Sequence, residues 1–481
     1  MRIPGLFASS LSPPPLSADD DAAAQEKIPY VLLELKAYVA KRQNATTAFS
    51  VTCSGKPIQV TFCPRRPPRV SYLCVHCPDA AEINLEPTVL ATDEEFVLLS
   101  VTIGAEDEEI EDVDSYVYQA DGAAGPSLTV LPRPPSGYYL DANDFGILGY
   151  SRGDGKSYLV AGLHRALWGQ PAGHFTLCVY NEKDGGWKTH PVSLSQQEQE
   201  QHCGKKSFYH KNCKVVAIGG DAGTMAFVDL WRGIIFCDVL PAKDKSIILH
   251  YVKLPEPLQG NKTLEGDARL YRNIAVIGDR LKYVELQVHY KASVVFKDRF
   301  VRNGWMAATW SRPASSLSSD GWHEDNRIMD SRNLKVDNEL YFKLLPKVQN
   351  DEGYTFPPFM RIDLCQPVLG LGGDGTDIIY FTAKRNRGDA NGWVVSVDLE
   401  NKELLGVALF ASRRYIGINF AYMHSRISMH LKSAPGTQGN LKRQGTVLPQ
   451  SFSKKHSGMD DRSLVDGCPL VSYSICKVEA D

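Results

Sequence analysis

Cys74-Val-His-Cys77, with Cys53 and Cys63 upstream, brings together the donor types that bind zinc. Cysteine thiolates and a histidine nitrogen can fill a tetrahedral shell, and a C-x-x-C knuckle is the usual seed of such a site. The second pair should be another tight knuckle, yet nine residues separate Cys53 from Cys63. Val70 to Val75 also reads as a strand, which sends alternate side chains to opposite faces. Cys74 and Cys77 are therefore weak metal candidates and are expected to be buried or half-buried free thiols. As a redox pair they lack the βαβ surroundings of a thioredoxin-like motif.

Other constellations thin out in the same way. Gly370-Leu-Gly-Gly-Asp-Gly375 has the glycine density of a phosphate loop, but such a cradle needs a helix N-terminus after it and, for a Walker loop, a lysine. The β-type run Asp377 to Thr382 follows instead, so a tight turn between strands is expected. No G-x-S-x-G elbow occurs, and none of the twelve histidines stands in a catalytic signature. The acidic stretches Glu106 to Asp114 and Asp19 to Asp21 lack the glycine-containing loop of an EF-hand and read as solvated. Arg65-Arg66 with Arg69, Lys384-Arg385 with Arg387, Arg413-Arg414 and Lys454-Lys455 are short basic runs that read as loop ends. No residue is assigned a catalytic or cofactor-binding role, and no cofactor is expected.

The whole chain sets the frame for these groups. Its 481 residues are 43% hydrophobic, 10% aromatic and 23% charged, enough apolar material for a large core. A formal net charge of -3 argues against a dedicated nucleic-acid surface, so no nucleic-acid partner is expected. Eleven cysteines at irregular spacings suit reduced thiols in the cytosol or nucleus better than a secreted disulfide framework. The first residues have no continuous apolar run of signal-peptide length, and Asp19 to Asp21 disfavour a chloroplast transit peptide. No stretch approaches the ~20 apolar residues that a membrane-spanning helix needs.

Residues 1–27 read as a disordered leader containing Pro13-Pro14-Pro15, and 433–481 as a mostly disordered tail with a returning strand near 470–476. Between them, 28–432 is punctuated strand. Tyr30 to Ala40 is expected as a short helix and Ser195 to His202 as a polar helical or disordered loop. Ile58 to Phe62, Val70 to Val75, Phe96 to Ile103, Tyr158 to Leu163, Phe175 to Tyr180, Leu281 to Tyr290 and Ile378 to Ala383 have strand length and β-branched or aromatic content. Gly, Pro, Asp and Asn clusters separate these runs, which predicts an all-β chain of hairpins.

Three stretches repeat one pattern of strand, polar turn and strand: Phe175 to Val192, Ile235 to Pro255, and Asn391 to Gly406. Spacings of roughly 60 residues and more suit propeller blades with inserted loops, about six or seven in number. A closed ring also removes sheet edges. Trp187, Trp231, Trp305, Trp310 and Trp393 then read as core or blade anchors, Trp231 foremost because apolar strand flanks it on both sides.

Within Met225 to Pro257, the segment Val228-Asp229-Leu230-Trp231-Arg232-Gly233-Ile234 to Cys237-Asp238-Val239-Leu240, followed by Tyr251 to Pro255, resembles a plant family expanded in grasses, the domain of unknown function 1618 family. Its members carry a W-x-D-L-W-x-G-I-L-x-C-D-x-L core and a Leu-Pro exit, and Phe227 stands here where the first Trp is often found. Tyr30 to Glu34, Pro67 to Tyr72, Asp377 to Tyr380, Trp393 to Leu399 and the Arg413 to Tyr415 region resemble the same family, so the likeness covers most of 28–432. The resemblance implies a propeller similar to the kelch and F-box-associated β-domains, with no activity to carry over. Asp229, Trp231, Gly233, Cys237, Asp238, Leu254 and Pro255 are then a structural motif that packs blades. Ile28 to Glu34 is a faint echo of an F-box, without the helices that should follow.

The expected function is a non-catalytic protein-interaction scaffold whose loops meet a protein partner, with no membrane association. A hydrolase or lyase with its site in the central channel is the alternative, and a ubiquitin-ligase substrate adaptor a third. Converging Asp, His and Arg side chains with perturbed pKa values in one deep pocket would favour a channel site; a shallow, uncharged channel with an apolar rim would favour the scaffold.

Overall fold

The computed structural model describes residues 8–16 and 27–431 apart from 79–82, 84, 104–111, 123–124, 139–142, 152–154, 166–170, 204–207, 241–245, 263–264, 293–299, 318–320, 326–327, 338, 346–347, 350–354, 357–361, 373–376, 386–388, 390 and 411–420. Asp19 to Asp21, most of the acidic run 106–114, Arg387, Arg413 to Tyr415, Lys454-Lys455 and the tail with its expected strand at 470–476 lie outside the described residues.

Six sheets form a ring, so the chain is an all-β, six-bladed propeller. Blade 2 is Thr88–Asp93, Phe96–Ile103, Asp112–Gly122 and Gly125–Leu131, each strand antiparallel to the next. Blade 3 is Phe145–Ser151, Lys156–His164, His174–Asn181 and Gly186–Ser193. Blade 4 is Lys214–Gly219, Thr224–Asp229, Gly233–Asp238 and Leu249–Lys253. Blade 5 is built on Arg272–Ile277, Arg280–Ala292 and Phe300–Pro313, with two short outer strands. Blade 6 is Asp363–Leu369, Ile378–Lys384, Gly392–Asp398 and Glu403–Phe410.

Blade 1 closes the ring with both ends of the fold. Tyr422–Ser425 pairs antiparallel with Val31–Glu34, which runs parallel to Val70–His76; Pro57–Cys63 and Ala48–Val51 follow outward. The expected helix over Tyr30 to Ala40 is therefore replaced by two strands, Val31–Glu34 and Tyr38–Val39. Local propensity is a weak prior, and the closing sheet supplies backbone partners that a helix at this position would forgo. The polar loop expected near Ser195 is a helix, Gln196–Cys203.

Strand composition follows from blade packing. Each sheet is covered by a neighbour on both faces, so strands such as Val70–His76 and Phe96–Ile103 are apolar and buried almost throughout. The core is accordingly a set of inter-blade layers. One joins blades 1 and 2 around Val60, Leu73 and Val101; one joins blades 2 and 3 around Phe96, Phe145 and Tyr158; others join blades 3 to 4, 4 to 5, and 5 to 6 to 1. The three repeated stretches are the outer hairpins of blades 3, 4 and 6. The glycine-rich run from Gly370 joins the antiparallel strands Asp363–Leu369 and Ile378–Lys384. Among the described residues no helix is long and apolar enough to cross a membrane.

Candidate functional site

The six inner strands enclose a channel cavity of about 300 Å³. Its wall mixes aliphatic and polar side chains, with Leu90, Ile147, Val215 and Val368 contributed by four different blades. Into this wall the inner strands insert Asp93, Lys214, Asn273, Gln366 and His424, with Arg426 just past the end of its strand.

Lys214 opens the inner strand of blade 4, and its ammonium donates to Asn273 Oδ1 and to the Ile274 carbonyl, both at 2.8 Å, on blade 5. Both partners are neutral. Burial therefore dominates and pushes the lysine down to about 8. Asn273 passes the tie onward by donating to the Pro367 carbonyl of blade 6 at 2.8 Å. Gln366 Oε1 accepts from the Ala421 backbone N–H at 3.2 Å, next to the closing strand. Hydrogen bonds thus run from blade to blade around this part of the channel.

His424 sits on the closing strand itself. Burial, reinforced by Lys214 and then Arg426, drives its ring well below the usual histidine range, so the imidazole is neutral at neutral pH. Its Nδ1 is enclosed by protein and has no hydrogen-bond partner. Asp93 ends the inner strand of blade 2, and its Oδ2 accepts from the Gly149 N–H of blade 3 at 2.8 Å. Burial outweighs that bond and raises the carboxyl to about 7, with Glu94 and Glu95 adding to the rise. Glu94, in a left-handed turn at φ 45°, accepts from His430 at 2.9 Å and from Arg426 at 3.2 Å. Those contacts hold its carboxyl below the ordinary range, the His430 bond most of all.

Charge is thus matched at Arg426 by Glu94 and at Arg269 by Asp267, 2.8 Å away, while Lys214 has neutral partners. Chemically, the cavity offers a cation, a neutral imidazole and a carboxyl that titrates near neutrality.

Of the motif residues singled out in the sequence, Trp231 and Leu254 hold blade 4 to blade 5, and Asp229 ties the turn within blade 4. Asp229 is buried at the turn between two strands and accepts from the backbone of Lys211 at 3.0 Å, from the backbone of Trp231 at 2.9 Å, and from Arg232 at 3.0 Å. Trp231 is in that turn rather than in a strand, and it is half-buried where the sequence pointed to a deep core. Its indole donates to the Gly266 carbonyl at 2.9 Å, and the Arg272 guanidinium lies 4.5 Å from its ring. Arg272 is fully buried, donating to the Leu230 carbonyl at 3.0 Å and to Glu285 at 3.2 Å. Gly233 is needed for a close approach, since a Cβ there would lie 2.4 Å from the Tyr251 hydroxyl. Cys237 is buried between blades 3 and 4, Asp238 is exposed and accepts from Thr224, and Leu254 packs on the blade 4–5 layer just before the half-buried Pro255.

Cys74 and Cys77 do not converge. Cys74 packs with Cys63, Tyr38 and Tyr72, whereas Cys77 packs between blades 1 and 2 and donates to the Pro57 carbonyl at 3.1 Å. Sequence reasoning passed over Asp93, Lys214 and His424. The available signal was a single polar residue bounding or interrupting an apolar strand, as in Lys214-Val-Val-Ala.

Residues 227–380 match the model of a family described as protein of unknown function (DUF1618). That span begins in blade 4 and ends within blade 6. No curated protein matches the chain. Among solved structures, Trypanosoma rangeli sialidase in complex with 2-keto-3-deoxy-D-glycero-D-galacto-2,3-difluoro-nononic acid is 11% identical over 77% of this chain and 51% of that one, with a TM-score of 0.27. A mutant of the same sialidase displaying trans-sialidase activity is 12% identical over 77% and 52%, again with a TM-score of 0.27. The chain spans about half the length of these structures.

Proposed function

We propose that the central channel binds a small anionic molecule, with Lys214 as its charge partner and Asn273 and His424 as hydrogen-bonding groups. One observation carries this reading: a lysine lines the channel cavity while its ammonium is bonded only to neutral oxygens. Holding an unpaired cation in a poorly hydrated space is costly, and the lowered pKa is the sign of that cost. An anion in the cavity offsets it, and by linkage its binding raises the lysine pKa again. The converging, pKa-perturbed groups Asp93, Lys214 and His424 match the channel-site expectation rather than an uncharged lumen.

The test is a thermal-shift series with phosphate, sulfate and two- to four-carbon mono- and dicarboxylates. A ligand should raise the melting temperature of the wild-type chain and not of Lys214→Met. The gain should be larger at pH 6.5 than at pH 9.5, because Lys214 loses its proton near 8. Equal shifts in both chains would sink the reading, since they would report salt rather than a site. Turnover of the ligand, as in a hydrolase or lyase, would draw on Asp93, whose carboxyl near 7 suits proton transfer at neutral pH.

A protein-interaction role on the outer surface is a second reading. It is supported by exposed apolar side chains on the last strand of blade 6, Leu405 and Leu409, beside Leu340 and Leu344 of the helix Glu339–Leu344. The free thiols, buried Cys63, Cys74, Cys178 and Cys237 among them, suit the reducing cytosol or nucleus.

A further inference from the structure

Residues 8–16, part of the stretch expected as a disordered leader, are held against blade 1. A short 3-10 turn, Ala8–Leu11, buries Ser10, which bonds to Glu86. The three prolines that follow meet a cradle of two arginines and a tyrosine. Arg42 donates to the carbonyl oxygens of Pro14 at 2.6 Å and Pro13 at 3.4 Å. The Tyr72 hydroxyl donates to the same Pro14 oxygen at 3.3 Å, and Arg65 donates to Pro15 O at 3.0 Å. Tyr72 is fixed in turn. Arg42 bonds its hydroxyl at 2.5 Å, both guanidinium carbons lie 5.1–5.6 Å from its ring centroid, and Tyr38 meets it edge-on at 5.2 Å.

These contacts read one chemistry. Consecutive prolines are locked near φ -65° and push their neighbours to extended backbone, so the segment reaches the cradle pre-ordered with its carbonyls free. A rigid aromatic with donors aimed at successive carbonyls is how proline-rich segments are recognised. Nothing in the contacts requires the prolines to belong to this chain.

The cis segment also fills only one end of what is there. Past Pro15 the cradle opens into a groove of about 740 Å³ that runs from Arg66 and Pro68 to Val407, Leu409 and Phe410 on blade 6. Its apolar end is uncovered: Leu409 is 63% exposed and Leu344 50% exposed, while Leu16, next after the prolines, is itself 62% exposed. The chain's own segment thus satisfies the donors and leaves the apolar wall vacant.

We infer that Arg42, Arg65 and Tyr72 form a polyproline-binding site, occupied in cis by Pro13 to Pro15, which a partner's proline run followed by an apolar residue displaces by also filling the groove. The inference is independent of the channel. Ten residues, 17–26, tether the cis segment to the closing strand region, so its effective concentration at the cradle is on the order of millimolar and suppresses weak competitors.

The test uses the full chain and a fluorescein-labelled peptide of five prolines followed by Leu-Leu, read by anisotropy. P13S/P14S/P15S keeps the carbonyls but removes the rings that pre-order them, so the cis segment docks at a higher entropic cost. The cradle is freed, and the variant should bind the peptide at least about tenfold tighter than wild type. Adding Arg42→Gln to that variant should abolish the gain, and a Gly-Ser peptide of equal length should not bind. If the triple variant melts lower than wild type, P14S alone is used, since it unlocks the backbone at the residue whose carbonyl takes two of the four contacts. A folded, vacated chain that binds the proline peptide no better than wild type does, or no better than it binds the Gly-Ser peptide, overturns the inference and leaves the cradle a fold anchor only.

Discussion

Asp93→Asn should stabilise the protein above neutral pH and leave it nearly unchanged near pH 4. The carboxyl is raised from 3.8 to about 7 because the channel wall strips its water and Glu94 and Glu95 stand beside it. A folded state that holds its proton more tightly than the unfolded chain binds extra proton between those two values. Stability therefore falls as pH rises from about 4 to about 7, and the full cost is present above 7. At ~1.4 kcal/mol per pH unit the shift corresponds to about 4 kcal/mol, and water in the partly open lumen reduces that to about 2 kcal/mol. Asparagine keeps an oxygen for the Gly149 N–H and carries no charge to desolvate, so it escapes the cost; it also forgoes the smaller attraction of Arg426. Paired thermal melts of wild type and Asp93→Asn at pH 4, 6 and 8 should show a gap that opens with pH to about 2–4 °C. A gap of constant size, or an Asn variant less stable at pH 8, would refute the desolvation argument.

Two further predictions concern the blade layers. Arg272→Met should cost about 3–5 kcal/mol, because it leaves the fully buried Glu285 carboxylate with neutral donors and no cation, whereas Arg272→Met with Glu285→Gln, which keeps an acceptor for Asn261, should recover part of that in denaturant titrations; no recovery would contradict the charge argument. Trp305→Ala should cost about 3–5 kcal/mol, its side chain being buried between blades 5 and 6 against Phe381, and clearly more than Trp231→Ala at the half-buried turn; the reverse order of melting temperatures would contradict the packing described.

The channel and the Arg272 cluster share a design in which polar groups are spent at blade boundaries. Within a blade, backbone pairing and apolar faces suffice. Between blades, a few side chains tie one sheet to the next, as Lys214 does to Asn273 and Arg272 to the turn before Gly233. A ligand in the channel would therefore touch groups that also hold the ring together, which is why stability measurements can report on binding here.

Strand identity was legible in the sequence because both faces of strands such as Val70–His76 and Phe96–Ile103 are buried. Val70 to Val75 and Phe96 to Ile103 need no partner to be read as strands, and the Asn, Asp and Gly turns after Tyr180 and Val397 announce hairpins. The motif around Asp229 was legible too, as a dense local pattern whose hydrogen bonds close within a few residues. What only the tertiary structure decided is everything that crosses the ring. The Val31–Glu34 strand finds its partner at Tyr422–Ser425, at the far end of the fold, and so becomes strand where local preference pointed to helix. Trp231 is half-buried because its turn sits at a blade end, a depth that flanking apolar residues do not encode. Asp93, Lys214 and His424 belong to blades 2, 4 and 1, and each alone is an ordinary polar residue at a strand. Their pKa shifts come from desolvation by walls that other blades supply, and those walls exist only once the ring is closed.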